Sequence, residues 1–246
     1  MFLRPPKQPD FKREATMSNK QSGSIFEFIE KNSLLLGVSI FVLITIGGIV
    51  EVVPSFTQNA RPITGLKPYS VLELAGRQIY IRESCNACHS QLIRPFKAET
   101  DRYGAYSLSG EYAYDRPFLW GSRRTGPDLH RVGNYRTTDW HEAHFKNARQ
   151  VSPGSNMPNF PWFFEDSVDV GTVHAELVTV RDVFGVPYDQ GENPKSGNTL
   201  EETHQLIIDE AAMVIEQMKD QSIKDAYAQG DVKDIVAIIA YLNRMK

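Results

Sequence analysis

Both cysteines of the chain lie in one pentapeptide, Cys85-Asn86-Ala87-Cys88-His89. The spacing Cys-x-x-Cys-His is the signature of covalent haem c attachment. Two thiols three positions apart can reach the two vinyl groups of one porphyrin and form thioether bonds with them. The adjacent imidazole then lies beneath the iron as an axial ligand. The motif therefore predicts one haem c, tethered by Cys85 and Cys88 and ligated by His89.

Other uses of a cysteine pair match the sequence less well. A thioredoxin-like dithiol requires a βαβ context, whereas an apolar pattern of helical period precedes Cys85. A structural zinc site needs four ligands, and the chain has no second cysteine pair. A membrane-tethered redox-thiol or metal-binding module stays open as an alternative. Such a module would contain no haem and would have a reducible Cys85–Cys88 pair.

A methionine in a rigid loop is the predicted second axial ligand. Met157 lies in the segment PGSNMPNFP, residues 153–161, whose prolines and glycine exclude a helix. Methionine ligation raises the reduction potential relative to two histidines. With both axial positions filled, the iron would transfer electrons and would bind no substrate. Five histidines remain as alternatives, of which the pair in WHEAHF is expected at the surface: His130, His141, His144, His174 and His204.

Two further features are predicted to surround the haem. The turn Gly126-Pro127-Asp128-Leu129 is typical of the segment beside the proximal histidine in class I cytochromes c. Pro127 is expected to pack on the ring edge, and its carbonyl oxygen to accept a hydrogen bond from His89. Haem propionates need charge-assisted donors, and at least one of three arginines is expected to serve them, the others being solvated. These candidates are Arg94, Arg123 and Arg124.

Helices must position these residues. Ser70 and Glu73 form a capping-box pattern, and the apolar residues that follow predict a helix of about four turns that leads into the motif. Near the other end of the sequence, Asp231 is the predicted N-cap of an amphipathic helix with one apolar stripe. The residues expected at a close crossing of these two helices are Gly76, Tyr80 and Tyr241.

One segment is apolar enough to be a membrane anchor. Residues 33–50 contain no charged side chain, and only Glu51 interrupts the apolar stretch up to Val53. A helix of this length, at about 1.5 Å per residue, crosses the ~30 Å hydrocarbon core. A cleaved signal peptide would have a shorter apolar region and a small-residue cleavage site. We therefore predict a transmembrane anchor over residues 32–53.

Charge and composition complete the domain assignment. The excess of Lys and Arg over residues 1–31 predicts a cytoplasmic tail in a bacterial inner-membrane protein, which places residues 54–246 in the periplasm as the haem domain. Within that domain, residues 166–230 form an acidic, partly helical insertion. This insertion is either a docking surface for a cationic donor or a solvated face. A net charge of −3 gives no basic field for nucleic acid.

The predicted fold class is mainly α, with one N-terminal transmembrane helix and a class I cytochrome c domain with loop insertions. Three blocks are more specific than the haem motif alone: GRQIYIRESCNACHSQLIRPF over residues 76–96, PFLWGSRRTGPDLHRVG over residues 117–133 and NMPNFPW over residues 156–162. In these blocks the chain resembles subunit II, the monohaem cytochrome c subunit, of cbb3-type cytochrome c oxidases.

This resemblance implies a non-catalytic electron-transfer subunit, anchored in membrane lipid beside a catalytic haem-copper subunit. Cys85 and Cys88 would tether the haem, and His89 and Met157 would ligate its iron. Electrons would come from c-type cytochrome donors, either a multihaem cytochrome c subunit or a soluble cytochrome c. They would pass to the haem b of the catalytic subunit, which reduces oxygen to water. The resemblance also implies calcium at a subunit interface, with Ser122 as a candidate ligand. The alternative is the anchored cytochrome c subunit of a nitric oxide reductase.

Overall fold

The computed structural model describes residues 25–56, 61–121 and 123–246. Predictions that concern residues 1–24 or Ser122 lie outside these ranges. The chain divides into two compact units, Met1–Ser55 and Phe56–Lys246.

The described residues of the first unit form helix α1 (Ile25–Lys31) and helix α2 (Ser33–Phe56), whose last residue belongs to the second unit. Asn32 separates them, and its side-chain oxygen accepts a hydrogen bond from Leu35 N at 3.1 Å. The last seven residues of the predicted tail are therefore helical. Within the described part of the chain, α2 contains the one segment, Ser33–Val53, that is long and apolar enough to cross a membrane. The helix continues three residues beyond the predicted anchor.

The regular secondary structure of the second unit is helical, and its described residues contain no β-strand apart from an isolated antiparallel bridge between Ser167 and Lys233. The prediction of a mainly α fold is confirmed. Its α-helices are α3 (Val71–Arg82), α4 (Lys97–Tyr103), α5 (Thr138–Lys146), α6 (Ala148–Val151), α7 (Val170–Val178), α8 (Leu200–Gln217), α9 (Gln221–Ala228) and α10 (Asp234–Arg244). A π-helical turn, Thr179–Val183, continues α7, and short 3₁₀ turns are at Cys85–Ala87, Ser109–Tyr112, Val132–Asn134 and Pro161–Phe164.

The crossing of α3 and α10 forms the centre of the core. A Cβ added to Gly76 would lie 2.0 Å from Ala237 O and 2.7 Å from Tyr241 Cβ, so only glycine permits this approach. The ring centroids of Tyr80 and Tyr241 are 5.5 Å apart across the same contact. The predicted close crossing is therefore confirmed. The capping box of Ser70 is also present, although α3 has 12 residues, about one turn fewer than predicted.

The predicted start of α10 is wrong. The helix begins at Asp234, and no side chain caps it at the preceding Lys233. Asp231 instead forms an ion pair with Lys233 Nζ at 2.7 Å. The buried carboxylate of Asp234 pairs with Arg82 at the end of α3, with a distance of 2.6 Å. This ion pair joins the start of α10 to the end of α3, the helix against which α10 packs.

The acidic region 166–230 is part of the core. Side chains from α7, α8 and α9 are buried within it, including Leu177, Ile207 and Ile223, whereas Met213 is 71% exposed. The carboxylate of Glu210 on α8 accepts hydrogen bonds from Val71 N and Leu72 N, two amides in the first turn of α3 that have no carbonyl partner within the helix. Acidic side chains here therefore stabilise helix ends as well as facing solvent.

Candidate haem-attachment site

The two thiols lie on a tight turn directly after α3. Ser84 adopts a left-handed conformation with a φ of 56°, and the 3₁₀ turn Cys85–Ala87 follows. His89 N donates to Cys85 O at 2.9 Å, which closes the loop. Cys85 is half-buried and Cys88 is exposed, and both are free thiols.

The environment of the thiols disfavours the redox-thiol alternative. Burial, with a contribution from Glu83, raises the pKa of Cys85 to about 12. Redox-active cysteines need the opposite shift, since the thiolate is the reactive form. Among the described residues, no group of three or more His, Cys, Asp or Glu side chains could hold a metal ion.

The imidazole of His89 is held by the Gly126–Pro127 turn. His89 Nδ1 lies 2.8 Å from Pro127 O, which is the hydrogen bond expected from this turn. Burial lowers the pKa of His89 and favours the neutral ring. The neutral ring donates from Nδ1 to the carbonyl oxygen, which leaves the Nε2 lone pair available for a metal. A Cβ added to Gly126 would lie 2.2 Å from His89 Cε1, so the turn packs directly on the ring.

A buried carboxylate ties this turn to the motif. Asp128 accepts hydrogen bonds from Ser90 Oγ at 2.6 Å and from Leu92 N at 2.8 Å. Leu129 N also donates to Ser90 O at 2.8 Å. The turn and the haem motif are therefore fixed relative to each other by side-chain and backbone bonds.

Two of the three candidate propionate-binding arginines are already paired. Arg124 binds Glu99 at 2.8 Å and Ser90 Oγ at 2.6 Å, and Arg94 pairs with the same Glu99. Arg123 is exposed and forms no hydrogen bond or ion pair with the residues that the structure describes. Of the three, Arg123 is the one whose guanidinium is uncommitted.

The loop of Met157 is anchored on α5. Gly154 turns the chain with a φ of 81°, and Met157 N donates to Ser155 Oγ at 3.1 Å. Phe160 N donates to Phe145 O at 3.0 Å, which ties the loop to the helix. Met157 is half-buried, and its Sδ lies 3.0 Å from His144 Nε2.

The expectation that His141 and His144 lie at the surface is wrong. His141 is 3% exposed, and His144 is half-buried with its ring stacked on Trp140 at a centroid distance of 4.5 Å. Burial, the largest cause, lowers the pKa of both imidazoles to about 4. An aromatic residue four positions before a histidine on a predicted helix faces it on the same side. The spacing of Trp140 and His144 could therefore have indicated from the sequence that the His144 ring is packed against an aromatic ring.

The other histidines have different surroundings. His130 Nδ1 lies 2.6 Å from Ser107 Oγ, and His174 Nδ1 lies 2.8 Å from Thr203 Oγ1. His204 is half-buried on α8. His144 differs from all three in its contact with a methionine, since its Nε2 lies 3.0 Å from Met157 Sδ.

The family model described as cytochrome c oxidase, mono-heme subunit/FixO matches residues 26–246. The chain belongs to the FixO family. A comparison with curated proteins finds no match. Membership confirms the resemblance to the monohaem subunit of cbb3-type oxidases. It establishes the chain as a monohaem cytochrome c subunit of an oxidase complex that includes a catalytic subunit. The match favours the oxidase over the nitric oxide reductase alternative.

The residues of this FixO-family chain fit a covalently bound haem c. The attachment loop offers two free thiols and an imidazole whose Nε2 lone pair is available. The half-buried thioether of Met157 lies on a loop that is tied to α5. Calcium binding by Ser122 stays a prediction, because this residue lies outside the described ranges.

Proposed function

We propose that this FixO-family chain relays electrons from c-type cytochrome donors to the haem b of the catalytic subunit, and that it does not itself reduce oxygen. The observation that carries the proposal is the fixed imidazole of His89, whose Nδ1 is bound to Pro127 O at 2.8 Å. Metal-ligating histidines almost always donate from their other ring nitrogen to a partner of this kind, and the bond leaves Nε2 of His89 available to the iron. A multihaem subunit and a soluble cytochrome c are the proposed donors.

Cys85 and Cys88 would hold the haem, and His89 and Met157 would ligate its iron. When bound, haem c supplies an iron that accepts and releases one electron at a time. Pro127 orients His89, and the anchored loop presents the Met157 thioether, so both ligands are ordered before they bind. Arg123 is the proposed propionate donor.

We also propose the orientation of the anchor. The excess of Lys and Arg over residues 1–31 supports a cytoplasmic N-terminus. The haem domain, residues 54–246, would then be periplasmic. Donors would reach it there without crossing the membrane.

The test is purification of the native complex from membranes in mild detergent. We expect haem c together with haem b and copper, and oxygen consumption driven by reduced cytochrome c. A complex that contained non-haem iron and consumed nitric oxide would contradict the proposal. In the same preparation, Met157→Ala should keep the haem attached but open the ferrous iron to carbon monoxide. A variant that excluded carbon monoxide would show that Met157 is not the ligand.

A further inference from the structure

His144 on α5 contacts Met157, the methionine proposed as the axial ligand. His144 Nε2 lies 3.0 Å from Met157 Sδ, within hydrogen-bond range for a nitrogen donor and a sulfur acceptor. The residues come from separate elements, α5 and the 153–161 loop, which are joined by the bond from Phe160 N to Phe145 O. The two side chains are therefore held in contact by the backbone around them.

The ring of His144 is also fixed on its other sides. It stacks on Trp140 with an interplanar angle of 16°, and the guanidinium of Arg136 lies 4.2 Å from the Trp140 ring centroid. A stack of guanidinium, indole and imidazole limits the rotation of the ring. His144 can therefore present Nε2 to the sulfur in a defined direction.

The second nitrogen decides which atom bears the proton. His144 Nδ1 is buried and has no hydrogen-bond partner among the described residues. A buried N–H without an acceptor is rarer in proteins than a buried acceptor without a donor. The ring therefore places its proton on Nε2, where Met157 Sδ can accept it.

We propose that His144 is a positioning residue for Met157. Its Nε2 donates a hydrogen bond to one lone pair of Met157 Sδ and leaves the other lone pair for the haem c iron. The inference rests on the proposed role of Met157 as axial ligand. A hydrogen bond to an axial ligand is one of the means by which a protein adjusts a haem potential. Because the bond draws electron density from the sulfur, it favours the ferrous iron and raises the reduction potential.

The test compares four single variants of the full-length protein in its complex, with haem c attached. His144→Phe keeps a flat ring and removes the donor, and His144→Gln supplies an amide donor. His141→Phe is the matched control, since this histidine is buried on the same helix. Met157→Ala tests the ligand itself. The measurements are the midpoint potential of haem c and the methionine-to-iron charge-transfer band of the ferric protein.

We expect His144→Phe to lower the potential and to weaken or shift the charge-transfer band. His144→Gln should restore part of the potential and part of the band. His141→Phe should have a potential and a band close to those of the parent. Equal potentials and bands in His144→Phe and the parent would overturn the proposal, as would an equal effect of His141→Phe.

Two further results separate this inference from the proposed function. If Met157→Ala keeps the parent band, Met157 is not the ligand and the axial assignment fails whatever His144 does. If Met157→Ala loses the band and His144→Phe does not change it, Met157 is the ligand and only the positioning role fails. Should His144→Phe yield no holoprotein, His144→Asn takes its place, because the shorter amide does not reach the sulfur. Equal potentials for the Asn and Gln variants would then overturn the proposal.

Discussion

Single residues with no proposed ligand role hold the proposed ligand His89 in place. Gly126 packs on the ring of His89, and Asp128 ties the same turn to Ser90 and Leu92. The haem motif could be read from the sequence because its five residues are contiguous. The contact of His144 with Met157 could not, because it depends on a loop and a helix that meet only in the folded chain.

Gly126→Ala should displace the imidazole of His89. The new methyl group would lie 2.2 Å from Cε1 and 2.7 Å from Nδ1, and neither ring nor turn has room to move while the Pro127 bond persists. We expect loss of the native haem c spectrum, with a ferrous form that binds carbon monoxide. Absorption spectra of the matured protein check this. Thr125→Ala, at the exposed neighbouring position, is the control and should retain the native spectrum.

Arg124→Ala should change the stability of the domain in acid. Hydrogen bonds from Arg124 and then Arg94 hold the pKa of Glu99 at about 2, against 4.5 ordinarily. A depressed carboxyl pKa stabilises the fold fully above the ordinary value, and this stabilisation is lost as the pH falls from 4.5 to 2. The free energy of unfolding of the parent should therefore fall over that pH range. The variant should have a lower free energy of unfolding at neutral pH and should lose less of it in acid.

Urea unfolding followed by far-UV circular dichroism at pH 7, 4 and 3 measures this difference. Lys97→Ala is the control, because its pair with Asp101 is exposed on both sides. If the free energy of unfolding fell equally with pH in the parent and in Arg124→Ala, the ionised Glu99 would not contribute to the stability of the domain.

At the scale of secondary-structure elements, the close crossing of α3 and α10 positions the haem motif. The periodicity of both helices and the glycine between them could be predicted from local patterns. The start of α10 could not, because Asp231 pairs with Lys233 while Asp234 pairs with Arg82 of another helix. The cap that Glu210 provides for α3 could not be predicted either, since Glu210 and Val71 are 139 positions apart in the sequence.

Gly76→Ala should destabilise this crossing. The added methyl group would meet the Ala237 carbonyl at 2.0 Å, and backbone cannot give way as a flexible side chain can. Overpacking of this kind costs roughly 1–3 kcal/mol, against a gain of about 1 kcal/mol in helix propensity. We expect a lower midpoint of urea unfolding. Gly171→Ala in α7, where the nearest atom is Asp169 Oδ1 at 3.3 Å, should show no comparable loss. Equal midpoints for the two variants would refute the argument.

On the scale of the whole molecule, the chain combines one apolar helix with a helical haem domain. The anchor was predictable because 21 residues of suitable composition are contiguous. The integration of residues 166–230 into the core was not predictable, because its apolar positions are spread over three helices and its charge suggested an exposed face.

Arg residues at the centre of α2 should release the chain from the membrane. Leu43→Arg with Ile44→Arg places two charges near the bilayer centre, and each costs about 2.5–3.5 kcal/mol on insertion scales. We expect the membrane-bound fraction after carbonate washing to fall. The control is Leu34→Arg with Leu35→Arg at the end of the helix, where long side chains reach the interface. A similar fraction for both pairs would argue against a transmembrane α2.

The distance along the chain between α3 and α10 has a consequence for the order of events during biosynthesis. Gly76 and Ala237 are roughly 160 residues apart, so their contact closes a long loop and forms late. Until α10 has been made, the segment with Cys85 and Cys88 stays on an unfolded chain, where both thiols are accessible. We therefore expect covalent attachment of haem to precede closure of the domain. A nascent chain that ended before α10 would then acquire haem without folding.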